Sequence, residues 1–128
     1  YTAANSFLKK YIIDFENIFS GCITYEDVKK HKPHPEAYLK ALSLSDSNIH
    51  NTLVLEDSEI GLKSSLQANL KCLITISPWS EFKPNSFIGA SSVVNSLGSS
   101  NEHSTLYKGK NLLQNYICLD YLNSLLNE

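Results

Sequence analysis

An α/β fold built on a parallel sheet is what this sequence predicts, on three observations. A strand, a helix and a second strand follow one another closely between "TLVLE" at 52–56 and "KCLITI" at 71–76. That spacing of about 25 residues is near the minimum for a parallel βαβ unit, whose crossover is expected to be right-handed. A further helix precedes the unit and a weak strand, "SSVVN", follows it, so strands alternate with helices along the chain. The length of 128 residues suits one small domain or part of a larger one.

The elements can be justified in order. "AANSFLKKYI" reads as a helix, because Phe7 and Leu8 are followed at helical spacing by Tyr11 and Ile12. "FSGCIT", residues 19–24, reads as a short strand in which Gly21 permits a close approach. "KPHPEAYLKALSL" opens on two stiffening prolines; Pro35 suits a first helical turn and Glu36 complements the positive helix end. Tyr38, Ala41 and Leu42 give that helix an i, i+3, i+4 apolar face. After the polar "SDSNIHN" comes the strand ending in Glu56 and Asp57, then a helix over about 58–68 with Leu62, Ser65 and Leu66 on one face. Asn69 stands where a helix C-terminus needs a left-handed residue. A loop carries Pro78, Trp79 and Pro84, with Trp79 expected to pack under it. The stretch "SLGSSNEHSTLYKGKN" reads as polar and loose, and "LLQNYICLDYLNSLL" as an amphipathic helix covering a sheet edge or core face. The chain divides on this reading into 1–98, the α/β part, and 99–128, the loop and final helix.

Composition excludes several classes. Apolar residues make up 42% and charged residues 19%, an ordinary globular balance. A net charge of −2 argues neither for a nucleic-acid partner nor for an acidic membrane surface, and none is expected. No apolar run approaches the roughly 20 residues that span a bilayer, and the N-terminal segment lacks an apolar signal core. Cys22, Cys72 and Cys118 are widely spaced and odd in number, which fits reduced thiols in a reducing compartment: cytoplasm, or a plastid stroma.

One constellation carries chemistry. Adjacent carboxylates at the end of a core strand repel each other and are costly to desolvate, so Glu56 and Asp57 call for a compensating cation. Ligands of parallel sheets bind at the carboxyl ends of strands, where this pair lies. Lys32 precedes the proline-stiffened helix by a short step, so the topology brings it to the same rim. A lysine and carboxylates around one point suit a phosphoryl group with Mg²⁺: the carboxylate holds the hard cation and the ammonium neutralises phosphate charge. Taken singly, these residues read more blandly. A Glu-Asp pair after a strand usually sits at a solvated helix N-terminus, Ser58 is most simply a helix cap, and Lys32 alone is a surface lysine. Pro33 keeps His31 and His34 from forming a helical i, i+3 metal pair, leaving them as loop residues, with His34 near the site mouth.

Together, "KPHPEAYLKAL" and "NTLVLEDSEIGLKSSLQANLKCLIT" resemble the second half of a haloacid dehalogenase-like hydrolase, in the β-phosphoglucomutase and CbbY-like phosphatase branch. The resemblance covers roughly residues 15–95 and implies a Rossmann-like core, present in part, whose cap domain would lie upstream of residue 1. It implies that Lys32 is catalytic and contacts the transferring phosphoryl group. Asp57 matches the direct Mg²⁺ ligand, and Glu56 the neighbour that supports the metal through water or the second shell. Ser58 falls beside the site as a phosphate-binding candidate, and Gly61 matches a glycine that lets the helix pack close. The substrate class implied is a small phosphorylated metabolite, such as a sugar phosphate. The family's nucleophile, the first Asp of Asp-x-Asp, has no counterpart after an apolar strand here, and Thr2 is only a weak match to the hydroxyl motif. The expectation is therefore a C-terminal half that is inactive alone. A phosphomutase of the same branch and a non-catalytic binding module are the alternatives. A phosphoacceptor receiver domain fits less well, because there the acidic pair comes early and the lysine late.

Overall fold

The computed structural model describes residues 6–7, 10–12, 14–77, 83 and 85–127. Its centre is a four-stranded mixed sheet in the order β1-β2-β3-β4, formed by Leu53–Glu56, Lys71–Thr75, Ser92–Val94 and Leu106–Gly109. The pairs β1–β2 and β2–β3 are parallel, with Leu53 opposite Lys71 and Leu73 opposite Ser92. Three helices pack around it: α1, Glu36–Leu44; α2, Glu59–Gln67; and α3, Leu119–Leu126. The predicted α/β architecture is the observed one, with β4 added antiparallel to β3.

Strand periodicity explains the two-sided core. Side chains alternate across a sheet. Val54, Cys72, Ile74 and Val93 therefore join Leu62 of α2 in one cluster, against which Tyr38 and Leu42 of α1 pack. Leu73 and Val94 face the other way and meet Tyr121 and Leu125 of α3. Helix α2 buries Ser64 and Ser65 because each hydroxyl has a carbonyl to donate to, that of His34 at 2.8 Å and that of Leu62 at 2.8 Å. Asn69 closes α2 at φ +58°, and the Leu70 N–H donates to the Ser65 carbonyl at 3.0 Å, the left-handed ending expected from the sequence.

Several expectations need correction. Residues 19–24 form no strand: the segment runs beside a groove of about 730 Å³ that separates it from β1, so no ladder partner is at hand among the described residues. Gly21 still serves close approach, since a β-carbon there would collide with Leu44. Ala41 lines that groove and is exposed rather than packed, and Leu66 lies at the edge of its helix's buried stripe, 38% exposed. The loose stretch before the final helix contains β4, whose outward residues hide the strand in the sequence; three of its four positions are exposed. The final helix starts only at Leu119. Residues before it bond elsewhere, with Ile117 donating to Leu97 O at 2.8 Å and Asn115 O accepting from Ser104 at 2.7 Å. Helical residues flank the opening segment at 6–7 and 10–11, while Leu8, Thr2, Pro78, Trp79 and Pro84 lie outside the described residues.

Candidate functional site

The site is built at the carboxyl end of β1. Leu53 faces the α3 side and Val54 the α1 side, so the period of two turns Glu56 toward α1 as well. There Glu56 Oε1 accepts from two donors, the Lys32 ammonium and the Tyr38 hydroxyl. Its other oxygen, Oε2, accepts from Ser58 Oγ at 3.2 Å and, weakly, from the Asp57 N–H at 3.4 Å. The Glu56 side chain is 8% exposed and the Lys32 side chain 42%, so the carboxylate is sunk and the ammonium remains reachable from solvent.

Helix α1 and its lead-in place Lys32. The Glu36 carboxylate folds back to accept from the backbone N–H groups of Lys29 and Lys30, at 3.0 and 2.9 Å. These bonds, and Lys40 at 3.2 Å, hold the Glu36 pKa down at about 2. His34 serves structure: its Nδ1 accepts from the Glu36 N–H at 3.2 Å and its carbonyl from Ser64. His31 stacks on Tyr25, with ring centroids 3.7 Å apart.

Electrostatics at the site follow from these contacts. Burial acts to raise the Glu56 pKa, but the hydrogen bonds from Lys32 and Tyr38 outweigh it and leave the group below its ordinary range. Burial, reinforced by the adjoining carboxylate, pushes the Tyr38 phenol well above its usual value, so it stays a donor. Burial likewise raises the Cys72 thiol to about 11, which makes it an inert core group.

The two acids therefore differ. Glu56 is saturated, whereas Asp57 is exposed and its carboxylate meets no donor among the described residues. Asp57 lines a cleft of about 450 Å³ with Ser58, Lys83, Ser86 and Phe87, apart from the larger groove on which Lys32 borders. Lys32 and Glu56 are thus brought together directly, while Asp57 stands next in the chain and unpaired with Lys32. Ser58 donates to Glu56 and accepts from the Gly61 N–H at 3.1 Å, capping α2. No group of three His, Cys, Asp or Glu side chains suited to a metal occurs among the described residues. Gly61 lies where a β-carbon would collide with the Glu56 carboxylate.

Residues 2–75 match the family model described as haloacid dehalogenase-like hydrolase. The chain belongs to that family. A haloacid dehalogenase-like hydrolase domain-containing protein of Arabidopsis thaliana is 37% identical over 67 residues, 50% of this chain and 21% of that protein. The crystal structure of a CbbY mutant from Rhodobacter sphaeroides in complex with xylulose-1,5-bisphosphate is 30% identical, with a TM-score of 0.51. It covers 56% of this chain and 31% of its own. A haloacid dehalogenase hydrolase of family IA, variant 3, from Entamoeba histolytica shares the fold over 98% of this chain and 48% of its own, at 21% identity and a TM-score of 0.68. The chain spans 21% and 26% of the lengths of the curated relatives it matches.

Within the haloacid dehalogenase-like frame, Tyr38 is the residue that sequence reasoning missed. The sequence places it on the buried face of α1 as a packing group. The signal lay in combining two periods: the helix turns Tyr38 toward the sheet, and the strand turns Glu56 toward the same side.

Proposed function

We propose that this chain supplies the lysine and acidic half of a Mg²⁺-dependent phosphohydrolase acting on a small phosphorylated metabolite. The observation that carries the reading is the Lys32–Glu56 pair at the rim of β1 with an unpaired Asp57 beside it. Asp57 would hold Mg²⁺ directly and Glu56 would support it from behind, since all its close acceptor positions are already engaged. Mg²⁺ favours one or two carboxylates plus waters and phosphate oxygens, which fits a single free carboxylate better than a dedicated protein cage. Bound there, the cation would neutralise phosphoryl charge.

Lys32, with its ammonium open to solvent, would neutralise the phosphoryl oxygens as they develop charge. The phosphoryl group would pass to an aspartate oxygen as the ester P–O bond breaks and the leaving oxygen takes a proton. Water would then attack the same phosphorus, release phosphate and free the aspartate. These 128 residues contain no Asp-x-Asp to provide that aspartate, so on this reading the nucleophile would have to come from polypeptide outside them. The CbbY structures with xylulose-1,5-bisphosphate and with phosphate support a sugar phosphate as the substrate class.

Mg²⁺ titration of the 128-residue chain, followed by amide NMR, is expected to perturb Asp57 and its neighbours weakly, and Asp57→Asn to abolish the response. Turnover of p-nitrophenyl phosphate by the same chain is expected to be undetectable. In protein that includes the nucleophile segment, Lys32→Ala should lower kcat by at least about a hundredfold, the scale of losing one charge-stabilising contact. Asp57-dependent hydrolysis by the 128 residues alone would overturn the division of labour.

A further inference from the structure

Tyr38 touches both members of the charged pair by different parts of its side chain. Its hydroxyl donates to Glu56 Oε1, the same oxygen that takes the Lys32 ammonium. Its ring lies under that ammonium, with Lys32 Nζ 5.2 Å from the ring centroid. A cation over an aromatic face within about 6 Å is attracted by the ring quadrupole. Tyr38 also packs against the buried cluster that includes Val54, Leu62, Cys72 and Val93, which restricts its side chain. Lysine loses more rotamer freedom on ordering than almost any residue, so an unsupported ammonium would be poorly placed for chemistry. Here one rigid ring and one carboxylate confine it from two sides.

We propose that Tyr38 is a positioning residue: it confines the Lys32 ammonium against Glu56 at the β1 rim and so presets the cation for an incoming phosphoryl group. Its contribution to turnover rests on the phosphohydrolase reading; the confinement itself does not. The ring holds the ammonium, and the hydroxyl fixes the carboxylate that holds it too. Confinement before binding lowers the entropic cost of reaching the reacting geometry.

The test uses the 128-residue chain with ¹³C at the lysine ε-carbons and glutamate carboxyls, with Lys32 assigned by its loss in Lys32→Met. In the wild type the Lys32 ε-methylene protons should be moved upfield by the ring and set apart from the other lysines. Tyr38→Phe should keep that shift, because the ring remains, and should move the Glu56 carboxyl signal, because the hydroxyl is gone. Tyr38→Leu should return Lys32 to the common lysine position. An unmoved Glu56 signal in Tyr38→Phe, or an unmoved Lys32 signal in a folded Tyr38→Leu, would overturn the proposal. Should Tyr38→Leu fail to fold, the Phe variant decides. In active protein, Tyr38→Leu should lower kcat about tenfold with little change in KM. Lys32→Ala without effect on turnover would sink the phosphohydrolase reading and leave the spectroscopic result standing.

Discussion

Helices α1 and α3, on opposite faces of the sheet, are held in opposite ways. On the α3 side, Tyr121 and Leu125 are fully buried against Leu73 and Val94. The buried polar pair in that packing is satisfied: the Tyr121 hydroxyl lies 2.9 Å from Ser92 Oγ and donates to Lys110 O at 2.9 Å. Lys71 caps the end of α3 through the carbonyls of Leu125 and Leu126, at 2.9 and 3.1 Å. On the α1 side, no residue of α1 is fully buried, and the helix borders the open groove beside β1. Its ties are polar: Tyr38 to Glu56, and Glu36 to the backbone of the preceding loop. Helix α3 is sealed into its cluster, while α1 lies at the open margin of the larger α2-side cluster, where it carries the charged groups and keeps them reachable. Sites drawn from the less buried part of a fold are a general pattern.

That contrast predicts very unequal responses to the same kind of truncation. Leu125→Ala should cost about 2–5 kcal/mol, because it leaves a cavity in a fully buried cluster. Leu42→Ala, at a half-buried position on α1, should cost under about 2 kcal/mol, since only part of the side chain leaves an apolar environment. Urea melts of the two variants against wild type measure both. Equal losses would mean that α1 contributes as much core as α3, and the comparison would fail.

A smaller effect should separate site geometry from stability. Gly61→Ala adds one methyl group where the Glu56 carboxylate already lies. Backbone freedom is not at issue, because the position is helical and alanine is the better helix former. The methyl must instead displace Glu56, and with it Lys32 and Ser58. A net loss of about 1–3 kcal/mol is expected, as for overpacking elsewhere. The Lys32 and Glu56 NMR signals should move further than those of any α3 residue. A spectrum unchanged at Lys32 would show that the carboxylate has room to shift.

Much of this was legible in the sequence, and the misses have causes. The βαβ unit was readable because Leu53 to Leu55 and Cys72 to Ile76 are strongly strand-like, and Asn69 marks the helix end by its tolerance of positive φ. The rim was readable because an acidic pair ends an apolar strand, although β1 is an edge strand in which only Val54 is buried. Strand β4 was not: Tyr107 to Gly109 are exposed, and only the pairing of β4 with Ser92, Val93 and Val94 makes it a strand. The false strand at 19–24 fails for the converse reason. Propensity there is adequate, but a strand exists only through a ladder, and the neighbouring position is a groove. Residue types announced Lys32, Glu56 and Asp57. Which acid takes the lysine was decided by the parity of β1, and Tyr38 was hidden by being both a packing residue and a donor.

The smallest effect concerns how the α1 side responds to acid. Glu36 has its pKa lowered from 4.5 to about 2 by hydrogen bonds from the Lys29 and Lys30 backbone, and Asp27 and Glu56 are lowered as well. A carboxylate that is more acidic folded than unfolded favours the folded state while the unfolded chain is also ionised. Its contribution is complete above the unfolded pKa and disappears as pH falls through the folded one. For Glu36 the window runs from about pH 4.5 down to about pH 2. Glu36→Gln removes that group's share, so urea midpoints recorded from pH 7 to pH 2 should fall less steeply than in wild type. The slope should flatten without vanishing, since Asp27 and Glu56 still titrate. The Glu36 bonds lie at the surface, where solvent screens them, and the difference at pH 7 should be small compared with the truncations above. Because Glu36 anchors only the loop before α1, amide exchange at Lys29 and Lys30 should quicken in the variant while α3 stays protected. Faster exchange in α3 as well would mean that the two faces open together, and that the site is as firmly held as the core behind it.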